Sequence, residues 1–216
     1  MKKSIEAELI STYKDIKKII VKKFIEFDKI FKNGSNKDIF LEMAFCLLTP
    51  QSKARVCWEA INKLKEKQLL FSDNQELISN TIRNVRFKNN KAKYIILAKK
   101  FFTNKNKINI KDIILTYSDN LKLREFFVTN IKGMAYKEAS HFLRNIGYGE
   151  NIAILDRHIL RNMLKYKLIS EIPKTITKKN YLHLENLLIN FSKKTNIPMS
   201  HLDFVLWYQA TGDIFK

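Results

Sequence analysis

"KGMAYKEASHFLRNIG", residues 132–147, follows directly on "LREFFVTNI", residues 123–131. The two read as a helix, a short turn and a second helix, and so short a turn leaves room only for a hairpin. The chain has 5 glycines in 216 residues, and three of them, Gly133, Gly147 and Gly149, lie in or just after this stretch. Gly133 supplies a positive φ that a side chain disfavours, and its bare backbone lets a phosphate approach. The second helix then points unpaired N–H groups at that phosphate. Lys137 falls in its first turn. A helix N-terminus carries about +0.5 charge, which disfavours an ammonium, and partial burial against the following apolar face acts in the same direction. A neutral amine is what a nucleophilic lysine requires. The same letters also suit a plain helix pair with a solvated or phosphate-contacting lysine, and 40 Lys and Arg residues weigh for that reading.

Further on, "NIAILDRHILRN" (151–162) sets Asp156 after an apolar approach and before an amphipathic helix. That is an N-cap position, worth about 1 kcal/mol as structure alone. A carboxylate at a helix start is also placed to oppose a developing cation.

The rest of the chain reads with helical periodicity. "IEAELISTYKDIKKIIVKKFIEFDKIF" is a long amphipathic helix, broken by "NGSNKD" (33–38), where Ser35 or Asn36 caps the next. Helices are predicted in "KDIFLEMAFCLLT", "SKARVCWEAINKLKEKQLL", "KNNKAKYIILAKKFFTN", "IKDIILTY" and "SDNLKLREFFVTN". Others follow in "LDRHILRNMLKYK", "TKKNYLHLENLLINFSKKTN" and "PMSHLDFVLWYQATG", with Pro198 suited to the first turn of the last. No alternating strand stands out, so the expected fold is all-α. No Pro-, Gly- or Ser-rich linker divides it, so any two-lobed structure would have a cleft and not a tether; two helical lobes with the hairpin at a DNA-binding cleft between them are the expected form. Residues 1–36 with 129–216 are expected to form one lobe and 37–128 the other.

The net charge is +19. Such an excess argues for a polyanionic partner, nucleic acid first; an A+T-rich genome favouring lysine codons gives the same excess. No apolar run approaches the ~20 residues that span a bilayer, and the N-terminus reads with charges at short intervals and no apolar h-region or small-residue cleavage site, so mature, cytoplasmic sequence is expected. Cys46 and Cys57 form no CxxC pair, which argues against disulfides, iron–sulfur clusters and structural zinc. His141, His158, His183 and His201 show no ligand spacing and are expected at the surface or in hydrogen-bonded packing.

Lys137 and Asp156, with the hairpin before them, resemble the helix–hairpin–helix DNA glycosylase superfamily, at the spacing of its bifunctional members. "KGMAYKEASHFLRNIGY", "AILDRHILR", "IPKT" and "LDFVLWYQATGDIFK" are similar to the archaeal and bacterial type-2 8-oxoguanine DNA glycosylase/AP lyases, the likeness running from about Leu47 to Lys216. The resemblance implies a base excision repair enzyme that acts on damaged duplex DNA as a monomer and needs no metal or cofactor. Lys137 would attack C1′ of the flipped nucleotide, Asp156 would stabilise the cationic transition state, and a Schiff base would lead to β-elimination. Trp207 and Lys216 would line the base pocket, with Asp203 accepting a hydrogen bond from the lesion. Gln51 in "LLTPQSKA" would stand near the gap. In "VRFKNNKA", Phe87 would fill the stack and Arg86 would bond the widowed cytosine. The hairpin would grip DNA through Gly133 and Ala135, the latter standing where the family usually has a second glycine. The carbonyls of Thr129, Ile131 and Met134 could hold a monovalent cation. Two alternatives stay open: the same chemistry on another damaged base, and a non-catalytic helix–hairpin–helix DNA-binding protein.

Overall fold

The computed structural model describes residues 5–216. In chain order its elements are α1 (Ile5–Asn33), α2 (Asn36–Leu48), α3 (Ala54–Glu66), α4 (Gln75–Thr81), α5 (Lys88–Phe102), β1 (Thr103–Asn104), β2 (Lys107–Ile108), α6 (Ile110–Leu115), α7 (Asn120–Asn130), α8 (Tyr136–Asn145), α9 (Arg157–Lys165), α10 (Lys178–Thr195) and α11 (Met199–Thr211).

Ser35 starts α2 with a capping box: its side chain accepts from the Asp38 amide, and the Asp38 carboxylate accepts from the Ser35 amide. From Ile39 to Leu48 every residue of α2 is buried, as expected of a helix that is apolar on every face but for the one charged residue in this run, Glu42. It packs against α1, α3, α5, α6 and α8. By contrast α1 buries one stripe, Leu9, Tyr13, Ile16, Ile20 and Phe27, against α11.

Two apolar cores result. One runs from Ile39 to Ile152 and takes in α2 to α8. The other unites α1 with Ala153, Leu155 and helices α9 to α11. The hairpin formed by α7 and α8 packs in the first core through Phe127, Ile131, Met134, Ala139 and Phe142. Packing therefore divides the chain near residue 152, rather than at the expected 129. The hairpin is the shared wall: Tyr136, in the first turn of α8, packs against the second core.

Three local features depart from the expected helices. Residues 103–108 form a two-stranded hairpin, with Lys105 and Asn106 in left-handed backbone at its turn; such turns favour Asn but usually advertise themselves with Gly. The seven-residue α4, capped by Asn74, is too short to show a period. Pro198 is the N-cap of α11, one position before its first turn.

A buried ion pair ties the two cores. Arg124 on α7 makes paired bonds of 2.6 and 2.8 Å to Glu185 on α10. Glu185 also accepts from the Ala153 amide at 2.8 Å, and the Tyr136 and Tyr181 rings cover the guanidinium. Removing one partner strands a charge in the interior. Glu185→Ala should lower unfolding free energy by about 3–5 kcal/mol in urea titrations; a loss under about 1 kcal/mol, the range of exposed pairs, would mean that water reaches the site.

Candidate active site

Lys137 is the second residue of α8, after Ala135 at the N-cap. Its Nζ donates to Thr49 Oγ1 at 2.9 Å and lies 3.3 Å from Glu138 Oε1. Thr49 caps the C-terminus of α2, and its own hydroxyl proton goes to the Cys46 carbonyl at 2.9 Å. With that proton committed, the hydroxyl oxygen is free to accept from Lys137.

Asp156 caps α9. The buried run Ile152–Leu155 brings the chain in, and Asp156 Oδ1 accepts from the His158 and Ile159 amides, each at 2.8 Å. Its Oδ2 has no hydrogen-bond partner among the described residues. The ring of His158 meets Trp207 edge-on, centroids 4.8 Å apart. Trp207 thus stands beside the Asp156 cap.

Asp203 lies one turn before Trp207, buried, and accepts from Arg144 of α8 at 2.5 Å. It is within electrostatic reach of both Asp156 and Lys137. Burial, helped by the Asp156 charge, pushes its carboxyl up to about 6 despite Arg144. A group whose folded-state pKa is raised adds stability at pH below its unfolded value, and that stability is lost as pH rises through the folded value. Wild-type stability should therefore fall from about pH 4 to 6 relative to Asp203→Asn, as read from melting temperatures across that range. Parallel curves would place Asp203 in a wetter site.

From Arg144 the network continues to Asn145 Oδ1 at 3.3 Å, and from Asn145 Nδ2 to Glu42 Oε2 at 3.1 Å. Glu42 Oε1 accepts from Lys216, whose ammonium lies 3.5 Å from the centroid of the Trp58 ring. The tail reaches this position by a left-handed Gly212 and an ion pair between Asp213 and Arg55 at 2.5 Å. His141, on α8, is buried with both ring nitrogens unpartnered among the described residues. Its burial above all, with the Arg144, Lys137 and Lys216 charges nearby, holds the imidazole well below its usual range. No group of His, Cys, Asp and Glu among the described residues could hold a metal ion.

Gln51, Arg86 and Phe87 belong to a neighbouring cluster. Gln51 is exposed in the turn between α2 and α3, with φ +55. Phe87 caps α5 in left-handed backbone and is 57% exposed. The Arg86 guanidinium lies 5.9 Å from the Phe87 ring centroid, and its amide donates to Ser52 Oγ at 3.1 Å. A groove of about 550 Å³ runs from Phe87 to the hairpin, lined by Tyr94, Lys132, Gly133 and Ala135 among others.

Gly133 does take a positive φ, +90. A side chain is excluded there on a second count: a Cβ would sit 2.3 Å from the Tyr94 ring, because the hairpin packs closely on α5 at this residue. Ala135 is exposed at the groove, and the first amides of α8 have no side-chain cap. Gly147 closes α8 with φ +85, the Tyr148 amide reaching back to the Leu143 carbonyl at 2.8 Å.

Thr49 and Glu42 were invisible to a reading of motifs, because each acts on a residue far along the chain. His158 carried a signal in its place two residues past Asp156, at the start of a helix whose cap it completes.

A helix–hairpin–helix with a lysine opening the second helix, and an aspartate capping the next, defines the class of lysine-dependent DNA glycosylases. The chain matches the 8-oxoguanine DNA glycosylase family over residues 20–197. It is 47% identical over 209 residues to the 8-oxoguanine DNA glycosylase/AP lyase of Fusobacterium nucleatum, covering 97% of this chain and 96% of that one. The crystal structure of the Methanocaldococcus jannaschii 8-oxoguanine glycosylase/lyase, bound to a 15mer DNA containing 8-oxoguanine, superposes with TM-score 0.86 at 38% identity, over 97% of this chain and 100% of the other. For the Thermotoga maritima 8-oxoguanine DNA glycosylase the TM-score is 0.87 at 32% identity, over 98% of each chain. This chain belongs to the 8-oxoguanine DNA glycosylase family.

Proposed function

We propose that this chain, working as a monomer, excises 8-oxoguanine from duplex DNA and nicks the strand at the same site. The observation that carries the reading is the Lys137 amine, anchored by Thr49, and a capping aspartate, Asp156, with one uncommitted oxygen, both within electrostatic reach of Asp203.

The damaged nucleotide leaves the stack. Phe87 fills the gap, Arg86 bonds the widowed cytosine, and Gln51 stands at the opening. Trp207 and Lys216 line the pocket for the extruded base, with Asp203 held behind them by Arg144. The Lys137 nitrogen attacks C1′ as the bond from C1′ to the base breaks. The base departs with that electron pair and gains a proton, while the lysine nitrogen loses one. Positive charge develops on the sugar in the transition state, and the Asp156 carboxylate stabilises it. The aminal then opens to a Schiff base as O4′ takes a proton. Loss of a C2′ proton expels the 3′ phosphate, and the strand is cut. The first amides of α8, Gly133 and Ala135 grip the DNA backbone without reading sequence. A monovalent cation on the carbonyls of Thr129, Ile131 and Met134 would add to that grip; the Ile131 carbonyl accepts the Met134 amide at 3.1 Å, which uses one of its two lone pairs.

A panel of duplexes tests the substrate. Single-turnover release from 8-oxoguanine opposite cytosine should exceed that from other damaged purines and pyrimidines by at least about tenfold, the discrimination that one or two well-placed polar contacts supply. Equal or faster release of another lesion would reassign the substrate.

A further inference from the structure

Lys91 differs from the solvated lysines around it in being only 3% exposed. It lies one turn into α5, its amide bonded to the Phe87 carbonyl at 3.0 Å. Its ammonium donates to the Leu48 carbonyl at 2.7 Å, the Pro50 carbonyl at 2.7 Å and Ser52 Oγ at 3.1 Å. Three protons thus meet three acceptors, all on the turn that presents Gln51. Ser52 Oγ in turn accepts from the Arg86 amide at 3.1 Å. No carboxylate pairs with Lys91, and apolar side chains would join α2 to α5 without desolvating a charge. What the ammonium adds is direction. It binds the Gln51 turn and the Arg86–Phe87 turn, both with left-handed residues at their exposed tips, into one body.

We infer that Lys91 is a positioning residue that locks these two turns together, so that they enter distorted duplex DNA as a single rigid probe. The inference rests on the function proposed above. Thr49 keeps its own bonds to Cys46, so Lys137 stays in place when the lock is broken.

The variants are Lys91→Met, close in volume, and Ser52→Ala, which removes the shared oxygen without exposing a buried charge. Each is given two substrates: an 8-oxoguanine–cytosine duplex, and single-stranded DNA with a preformed abasic site, where nothing has to be extruded. Fluorescence of a 2-aminopurine placed next to the lesion reports insertion. Lys91→Met should slow excision from the duplex about 30-fold or more and abolish the fluorescence rise, while borohydride trapping at the abasic site changes by less than about threefold; small misplacements have effects of this order. Ser52→Ala should follow at about fivefold, with trapping likewise retained. Equal loss on both substrates, or no loss on the duplex, overturns the inference. If Lys91→Met does not fold, the same criteria applied to Ser52→Ala decide. Should the wild type trap at abasic sites yet leave 8-oxoguanine in place, the substrate reading has failed, and the fluorescence signal on the true lesion still judges Lys91.

Discussion

Lys137→Gln should lose single-turnover excision by about 10³–10⁵-fold, the scale on which removing a covalent nucleophile acts. Glutamine retains length and an N–H to offer Thr49 Oγ1, so the start of α8 need not move. Its amide nitrogen has no nucleophilic lone pair. The side chain is partly buried yet reachable, 22% exposed against 12% for Lys216. DNA affinity should change by less than about tenfold, because a single phosphate-scale charge among many sets the salt-dependent binding. Measured together, the two values separate a nucleophile from a phosphate contact. A variant that still excises within about tenfold of wild type would return Lys137 to the ordinary lysines.

Asp156→Asn should slow excision by about 10²–10⁴-fold, as loss of a charge aimed at a developing cation does, while leaving stability nearly unchanged. Asparagine caps a helix as well as aspartate, and its Oδ1 can accept from the His158 and Ile159 amides just as the carboxylate does. Catalysis and capping therefore come apart in this one substitution. Asp156→Ala loses both, adding about 1 kcal/mol of destabilisation for the missing cap. The pairing of single-turnover rates with denaturant midpoints checks this. If Asp156→Asn excised at the wild-type rate, the aspartate would be a cap and nothing more.

What was legible in the sequence was local. Ser35 with Asp38, Asp156 before an apolar-periodic helix, and Gly133 between two helices each carry their structural role within a few residues, and the structure places them accordingly. The apolar run 39–48 announces a central helix for the same reason. Contacts across long separations were hidden. Thr49 bonds Lys137 across 88 positions, and Glu42 meets Lys216 across 174. Nothing in "LLTPQ" or "FLEMA" marks either as a partner. Lys91 reads as one more basic residue in "KNNKAKYIILAKK"; only the packing of α5 on α2 shows that its ammonium is enclosed. Asp203 was visible as a carboxylate one turn from Trp207, but its pairing with Arg144 depends on how α11 crosses α8. The Tyr94 ring beside Gly133 was hidden for the same reason: the glycine signals a close approach without saying what approaches.

The most direct test of the account is to locate the covalent bond. The wild-type protein is incubated with a duplex carrying 8-oxoguanine opposite cytosine, reduced with borohydride, digested with trypsin and nuclease, and the adduct is placed by tandem mass spectrometry. The account predicts a reduced sugar remnant on Lys137. An adduct on Lys132, Lys91 or Lys216, or none at all under conditions where the lesion is released, would contradict it.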